Sequence, residues 1–205
     1  MGNVTADMSV TLDLYGTGLR QGREDPFGFD GAGDPVGERL HPWMFEHGDA
    51  HKAEVDAIVD AGAFVMGRNM FTPGRGEWDL DWKGWWGPEP PYHGPVFVLT
   101  HHPREPLEMD GGTTFHFVTD GSEAALARAR EAAGDRNVSI AGGVAVLNQY
   151  LALGVVDELR LHVVPFTLGA GERVFDGVPP SSLRLVSARH TPEVTHLTYS
   201  QRSAA

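Results

Sequence analysis

The sequence predicts an α/β fold: a sheet of about eight strands, mostly parallel, with flanking helices and a C-terminal antiparallel hairpin. Two observations carry this. Short apolar or alternating runs take turns with helical patterns along most of the chain, the signature of strands joined by crossover helices. The last two strands are then joined by Thr191-Pro192-Glu193, whose turn chemistry makes a hairpin. A chain of 205 residues that is 41% hydrophobic can bury one substantial core. The expected organisation is a single domain over residues 1–205, with insertions at about 16–48 and 72–95.

Taken in order, Ser9–Tyr15 (SVTLDLY) alternates polar and apolar residues up to Gly16 and reads as the first strand. Residues 16–48 are rich in Gly, Pro and acids without a sustained period. Between Glu24 and Asp60 there are ten acids against Arg39 and Lys52, so this stretch reads as a solvated insertion or a substrate-covering loop. Asp49 is placed to cap a helix running to about Ala61, with Val55, Ile58 and Val59 on one face, and Gly62 stops it. Ala63–Met66 is a short apolar strand. The second insertion holds Trp78, Trp82, Trp85 and Trp86, four of the five tryptophans.

Val96–Thr100 and Thr114–Thr119 read as strands. Asp120 and Glu123 have capping-box spacing ahead of an Ala-rich helix that Gly134 ends. Val138–Ala141 is another strand, Gly142-Gly143 a turn, and Val144–Leu153 a helix closed by Gly154. Asp157–Val164 is a strand that Pro165 terminates. Leu183–His190 and Val194–Gln201 form the hairpin.

Composition excludes whole classes of function. With no cysteine there is no disulfide, thiolate nucleophile or Cys-ligated metal. A formal charge of -12 argues against nucleic-acid binding, which needs a basic stripe. No apolar run reaches the roughly 18 residues of a membrane span, and MGNVTADMSV has no signal-peptide features. A cytoplasmic protein without membrane or nucleic-acid partners is expected.

Three strand ends carry chemistry suited to an anion. In VSIAGGVAVLNQY (138–150) a buried strand runs through Gly-Gly into a helix, presenting free N–H groups at a helix N-terminus. It lacks the full dinucleotide fingerprint and the P-loop lysine, and a plain strand–helix turn has the same form. In Met66-Gly67-Arg68-Asn69 a strand ends on glycine followed by a cation able to fork onto a phosphate, or to pair with a local acid. In Thr100-His101-His102-Pro103-Arg104 a hydroxyl, two imidazoles and a guanidinium stand just past a strand. Ligands of open α/β sheets bind at this end of the strands.

These segments, together with SVTLDLYGTG, FVMGRNMF, VFVLTHHPREPL and IAGGVAVLNQYLALGVVDELRLHVVPFTLGAGERVFDG, resemble the dihydrofolate-reductase-like family. The likeness is to the reductase domain of bacterial riboflavin biosynthesis, over roughly residues 8–200. The resemblance implies NADPH as cofactor and hydride transfer to a small molecule. It implies pyrophosphate contacts at Ala141, Gly142, Gly143, Val144 and Ala145. It further implies phosphate contacts at Gly67, Arg68 and Asn69, and 2′-phosphate contacts at Thr100, His101 and His102. Asp13, placed within the first strand, resembles the family's substrate-facing acid and is the candidate catalytic residue. The Asp13-Leu14-Tyr15-Gly16 run departs from the usual Asp-Gly, and without cysteine the chain has no zinc deaminase. The resemblance also implies a homodimer.

The remaining clusters are open. His47 and His51 have a metal-ligand spacing on a glycine-interrupted segment that reads better as a surface pair, and no metal is expected. His41-Pro42-Trp43 reads as a loop anchor. The four clustered tryptophans must pack somewhere: over the active site, in a dimer contact, or in a secondary core. No Ser-His-Asp triad is visible. The expected function is an NADPH-dependent oxidoreductase acting on a small molecule. Alternatives are a pyrimidine reductase of riboflavin biosynthesis, or a nucleotide- or small-molecule-binding protein without turnover.

Overall fold

The first strand begins and ends earlier than its alternating pattern predicts. In the computed structural model, which describes residues 2–201, β1 runs Val4–Thr11. Its even positions, Val4, Ala6, Met8 and Val10, enter the main core. Its odd positions, Thr5, Asp7, Ser9 and Thr11, are polar yet also buried. Asp7 is tolerated there because Arg160 Nη1 lies 3.2 Å from both its carboxylate oxygens. The chain leaves the sheet after Thr11, whose carbonyl accepts from Leu14 N, with Leu14 at φ 68°. Asp13 therefore lies in a turn, not inside the strand.

Beyond β1 the elements are β2 (Tyr15–Thr17), α1 (Gly37–Leu40), α2 (Pro42–Phe45), α3 (Lys52–Val59), β3 (Ala63–Gly67), α4 (Arg68–Phe71) and β4 (Pro95–Leu99). They continue with β5 (Leu107–Glu108), β6 (Thr114–Val118), α5 (Ser122–Ala133), β7 (Val138–Gly142), α6 (Val144–Ala152), β8 (Glu158–Val164), β9 (Glu172–Arg173), β10 (Leu183–His190) and β11 (Thr195–Gln201). Nine strands form one sheet in the order β10-β11-β8-β1-β7-β3-β4-β6-β5, and β2 pairs with β9 separately. The run from β8 to β6 is parallel, while β11, β10 and β5 are antiparallel to their neighbours. The two-residue β5 accounts for the ninth strand.

Period-two alternation assigns the faces. Ala63 and Val65 of β3 join Ala125, Leu126 and Ala129 of α5 and Leu147 of α6 on one face. Phe64 and Met66 point the other way, into a second cluster with Phe71, Val96, Val98 and Phe115. Trp78, Trp82 and Trp86 pack against that second cluster, so the tryptophan insertion is a secondary core. Trp82 Nε1 donates to Phe71 O (2.8 Å) and Trp78 Nε1 to His102 O (2.9 Å), satisfying the indoles' polar atoms.

The acidic first insertion is not merely solvated. Val36, Leu40 and Trp43 are buried with Val164 and Val194 on the β8–β11 part of the same face. Trp43 Nε1 donates to Ser9 Oγ at 3.1 Å. The helix expected from Asp49 to Ala61 is shorter: a 3-10 turn covers Gly48–His51 and α3 follows. No helix among the described residues is long and apolar enough to cross a membrane.

Candidate active site

Because β3, β4, β6 and β7 run parallel, their carboxyl ends open on one edge of the sheet, and a cleft of about 410 Å³ lies there. A cleft of that size suits a small-molecule or cofactor ligand. It is lined by Gly67, Arg68 and Asn69 after β3, by Thr100, His101 and His102 after β4, and by Gly143 and Ala145 at the start of α6. Eight of the eleven residues expected to contact a cofactor thus share one cavity. Ala141, Gly142 and Val144 are not in the lining. Gly142, at φ 117°, makes the turn that aims α6 at the cleft, and Val144 is buried beneath it.

Two helices start at this cleft without a side-chain cap. Gly143 is the N-cap of α6 and Gly121 that of α5, and neither helix has a side-chain capping bond. The expected capping box does not form, since a glycine cap has no side chain to offer and Asp120 instead pairs with Arg128. Val146 N turns back onto Gly143 O (3.1 Å), and no side chain caps the remaining first-turn N–H groups of either helix, which are left to whatever enters the cleft. A Cβ built on Gly143 or Gly121 would meet no atom within 4 Å, so both glycines front open space.

The cations of the site are held by the second insertion. Arg68 donates to the carbonyls of Gly76 and Glu77, and its guanidinium lies 4.0 Å from the centre of the Trp78 ring. Desolvation first, and then the charge of Arg75, lower its pKa, so two like charges are gathered here. Arg75, which sequence reasoning missed, lines the cleft and hydrogen-bonds Asn69 Oδ1. Thr119, Gly121, Ser122 and Gln149 also line it unforeseen, as does Glu172. Two arginines and two helix starts without side-chain caps thus meet on one cleft in a chain of net charge -12, beside the donors of Thr100, His101 and His102 and the single acid Glu172, a donor set that fits phosphate oxygens.

Arg104 does not belong to that pole. Its Nη2 donates to Leu80 O and Trp82 O, and its guanidinium sits 5.1–5.5 Å from the Phe71, Trp78 and Phe117 rings.

Asp13 lies outside the cleft lining. Its carboxylate accepts from Thr11 Oγ1 (2.6 Å), Leu168 N (3.0 Å) and Gly169 N (2.8 Å). Desolvation works to raise its pKa, but the bonds from Thr11, Leu168 and Gly169 together hold it below the ordinary aspartate value. The group is fixed as a carboxylate that ties the β1 turn to the 168–169 loop.

His47 and His51 do not converge: His47 meets Glu193 at the surface, while His51 is buried against His196. His51, Glu54 and His196 bring three potential ligand atoms within 4.8 Å. Arg189, however, holds both Glu54 oxygens (2.6 and 2.7 Å) and approaches His51 Nδ1 at 3.0 Å, filling the position with its own charge.

Comparison with known proteins agrees with this geometry. A family model described as the RibD C-terminal domain matches residues 4–197. A protein of Shewanella sp. PV-4 provisionally assigned to riboflavin biosynthesis is similar in structure at 19% identity, with a TM-score of 0.63 over 98% of this chain and 99% of that one. Dihydrofolate reductase from Enterococcus faecalis, solved with NADP(H), shares the fold at 17% identity and TM-score 0.56, over 98% of each chain. The uncharacterized protein YwjB of Bacillus subtilis (strain 168) is 30% identical over 84 residues, 40% of this chain and 48% of YwjB, so the match spans about half of that relative. The fold is dihydrofolate-reductase-like, and the chain belongs to the RibD C-terminal domain family, a family of NAD(P)H-dependent reductases.

Proposed function

We propose that this protein is an NADPH-dependent reductase that transfers a hydride to a small molecule. The observation that carries the reading is the convergence of two glycine-capped helix starts with Arg68 and Arg75 on one cleft at the strand ends. In this reading the N–H groups opening α6 hold the pyrophosphate, and Arg68 and Arg75 hold phosphate oxygens. Thr100, His101 and His102 contact the adenosine 2′-phosphate. A bound nicotinamide supplies the hydride; the protein's part is to orient the reactants and exclude water. Asp13, outside the cleft lining, is a positioning residue that fixes the 168–169 loop to the turn after β1.

The test is titration of the purified protein with NADPH and with NADH, followed by nicotinamide fluorescence and tryptophan quenching. Trp78 stacks on Arg68, so a phosphate drawn to that cation alters indole emission. Micromolar binding of NADPH with weaker NADH is the expected result, and absence of binding to either sinks the reading. Substrate-dependent NADPH oxidation separates a reductase from a binding protein on the same fold. We also expect a homodimer in sedimentation, with the exposed edge strand β10, bearing Leu185 and Val186, as the candidate contact.

A further inference from the structure

On the face of the sheet under Trp43, three imidazoles meet outside the cleft lining. Register places them: His162 of β8 stands across from His196 of β11, and His196 from Arg189 of β10. His51 reaches down from the 3-10 turn Gly48–His51 that follows the first insertion. The rings form a chain, with His51 Nδ1 2.9 Å from His196 Nε2 and His196 Nδ1 2.8 Å from His162 Nδ1. All three are at most 5% exposed. Trp43 covers them, its centroid 4.5 Å from that of His162 and 5.0 Å from that of His196.

Hydrogen-bond accounting fixes where the protons sit. A guanidinium only donates, so His51 Nδ1, 3.0 Å from Arg189 Nη2, must be a bare lone pair. His196 Nε2, 2.9 Å away, must then carry a hydrogen, and it shares that one lone pair with Arg189 in a three-centre bond. A neutral His196 therefore accepts at Nδ1, and His162 Nδ1 must donate. The chain has one polarity, and it ends at His162 Nε2. That atom is buried without a hydrogen-bond partner and lies 3.5 Å from Asp7 Oδ1. An added proton there points an N–H at a carboxylate. A second proton has no such place, because at His196 Nδ1 or His51 Nδ1 it would set one N–H against another at 2.8–3.0 Å.

We propose that His51, His196 and His162 form a one-proton lock that clamps the first insertion onto the sheet: it accommodates a proton on His162 Nε2 facing Asp7, and a second proton opens it. The charged surroundings are consistent. Arg160 flanks Asp7; Glu54 and Arg189 flank His51; His41, His47 and Glu193 stand nearby. Burial first, and then the charge of His162, hold His196 down at about 4, and burial followed by Arg189 lowers His51.

Long-range proton–nitrogen correlation spectra of the full chain, recorded from pH 8 to pH 4, test this. The expected result is His51 as the Nε2–H tautomer and His162 with hydrogen on Nδ1. The emission change that depends on Trp43, taken as the difference from Trp43→Phe, should appear only when His196 takes its proton. An Nδ1–H tautomer at His51, or protonation of His196 with no change at Trp43, overturns the proposal. Arg189→Met, at a side chain that is itself half-exposed, should mix the His51 tautomers and raise the acid midpoint towards the ordinary histidine range. No change in either overturns it too. Micromolar binding of one Zn²⁺ at pH 7 that shifts the same imidazole signals would replace the lock with a metal site.

Discussion

Arg75 and Arg104 offer the sharpest separation between the cleft and the core that supports it. Both belong to the neighbourhood of the second insertion, yet only Arg75 lines the cleft. Arg104→Met keeps an apolar stem but removes the bonds to Leu80 O and Trp82 O and the cation beside three aromatic rings. Two bonds from a charged donor, partly wet, contribute about 2 kcal/mol, and the ring contacts add about 1. Relief of the guanidinium's burial, whose Nη1 has no hydrogen-bond partner, returns roughly 1 kcal/mol. The net loss is therefore about 2 kcal/mol, which lowers a urea midpoint by about 1 M for a slope near 2 kcal/mol per molar. Arg75→Met gives up the hydrogen bond to Asn69 but also relieves the like charge beside Arg68, and should stay within about 0.5 kcal/mol of the parent. It should weaken NADPH binding about 10- to 100-fold, the value of one charge-assisted phosphate contact. Urea unfolding and NADPH titration on both variants decide the matter. If Arg104→Met weakens NADPH binding as much as Arg75→Met while leaving the midpoint in place, the division between the two arginines is wrong.

Further outcomes follow from other sites. Gly143→Ala places its methyl in open space and keeps an allowed backbone (φ -69°), so thermal unfolding should barely move. The same methyl occupies the approach to the α6 N–H groups, and NADPH affinity should fall at least about tenfold; unchanged affinity would place the cofactor elsewhere. Asp13→Asn can keep its oxygen on Gly169 N but then turns its NH2 towards Thr11 Oγ1 and Leu168 N, and should cost about 1–2 kcal/mol in denaturant unfolding. Loss of turnover at full stability would instead give that carboxylate a chemical role. Burial lowers His41 from 6.5 to about 4, so the unfolded chain binds its proton first and stability must fall as pH drops from 6.5 towards 4. At pH 5 this amounts to about 2 kcal/mol relative to pH 8, and His41→Gln should remove that part of the slope in unfolding curves at pH 8, 6 and 5.

What the sequence made legible was whatever depends on a residue's own neighbours in the chain. Ala63–Met66 and Val96–Thr100 were readable because both their faces are apolar, as central parallel strands require. The glycine turn at 142–143 announced a helix start because backbone approach and the helix dipole are local properties. The first half of β1 was not readable, because its buried second face carries Thr5 and Asp7, and Ser9 continues that face. Those side chains are admissible only through partners 153 residues away for Asp7 and 34 away for Ser9. Arg75 was missed for a similar reason: nothing in Pro-Gly-Arg-Gly says that the loop returns to the end of β3. Val36, Leu40 and Trp43 did carry a signal, since spacings of four and three within an acidic loop mark an apolar helical face. The excess of acids around them hid it, because charge density describes what the outside of a segment meets, while three apolar side chains suffice to fasten its inside. The same three residues hold the insertion over the histidine chain, so the segment that looked most like solvated connection is the one that keeps three imidazoles out of water.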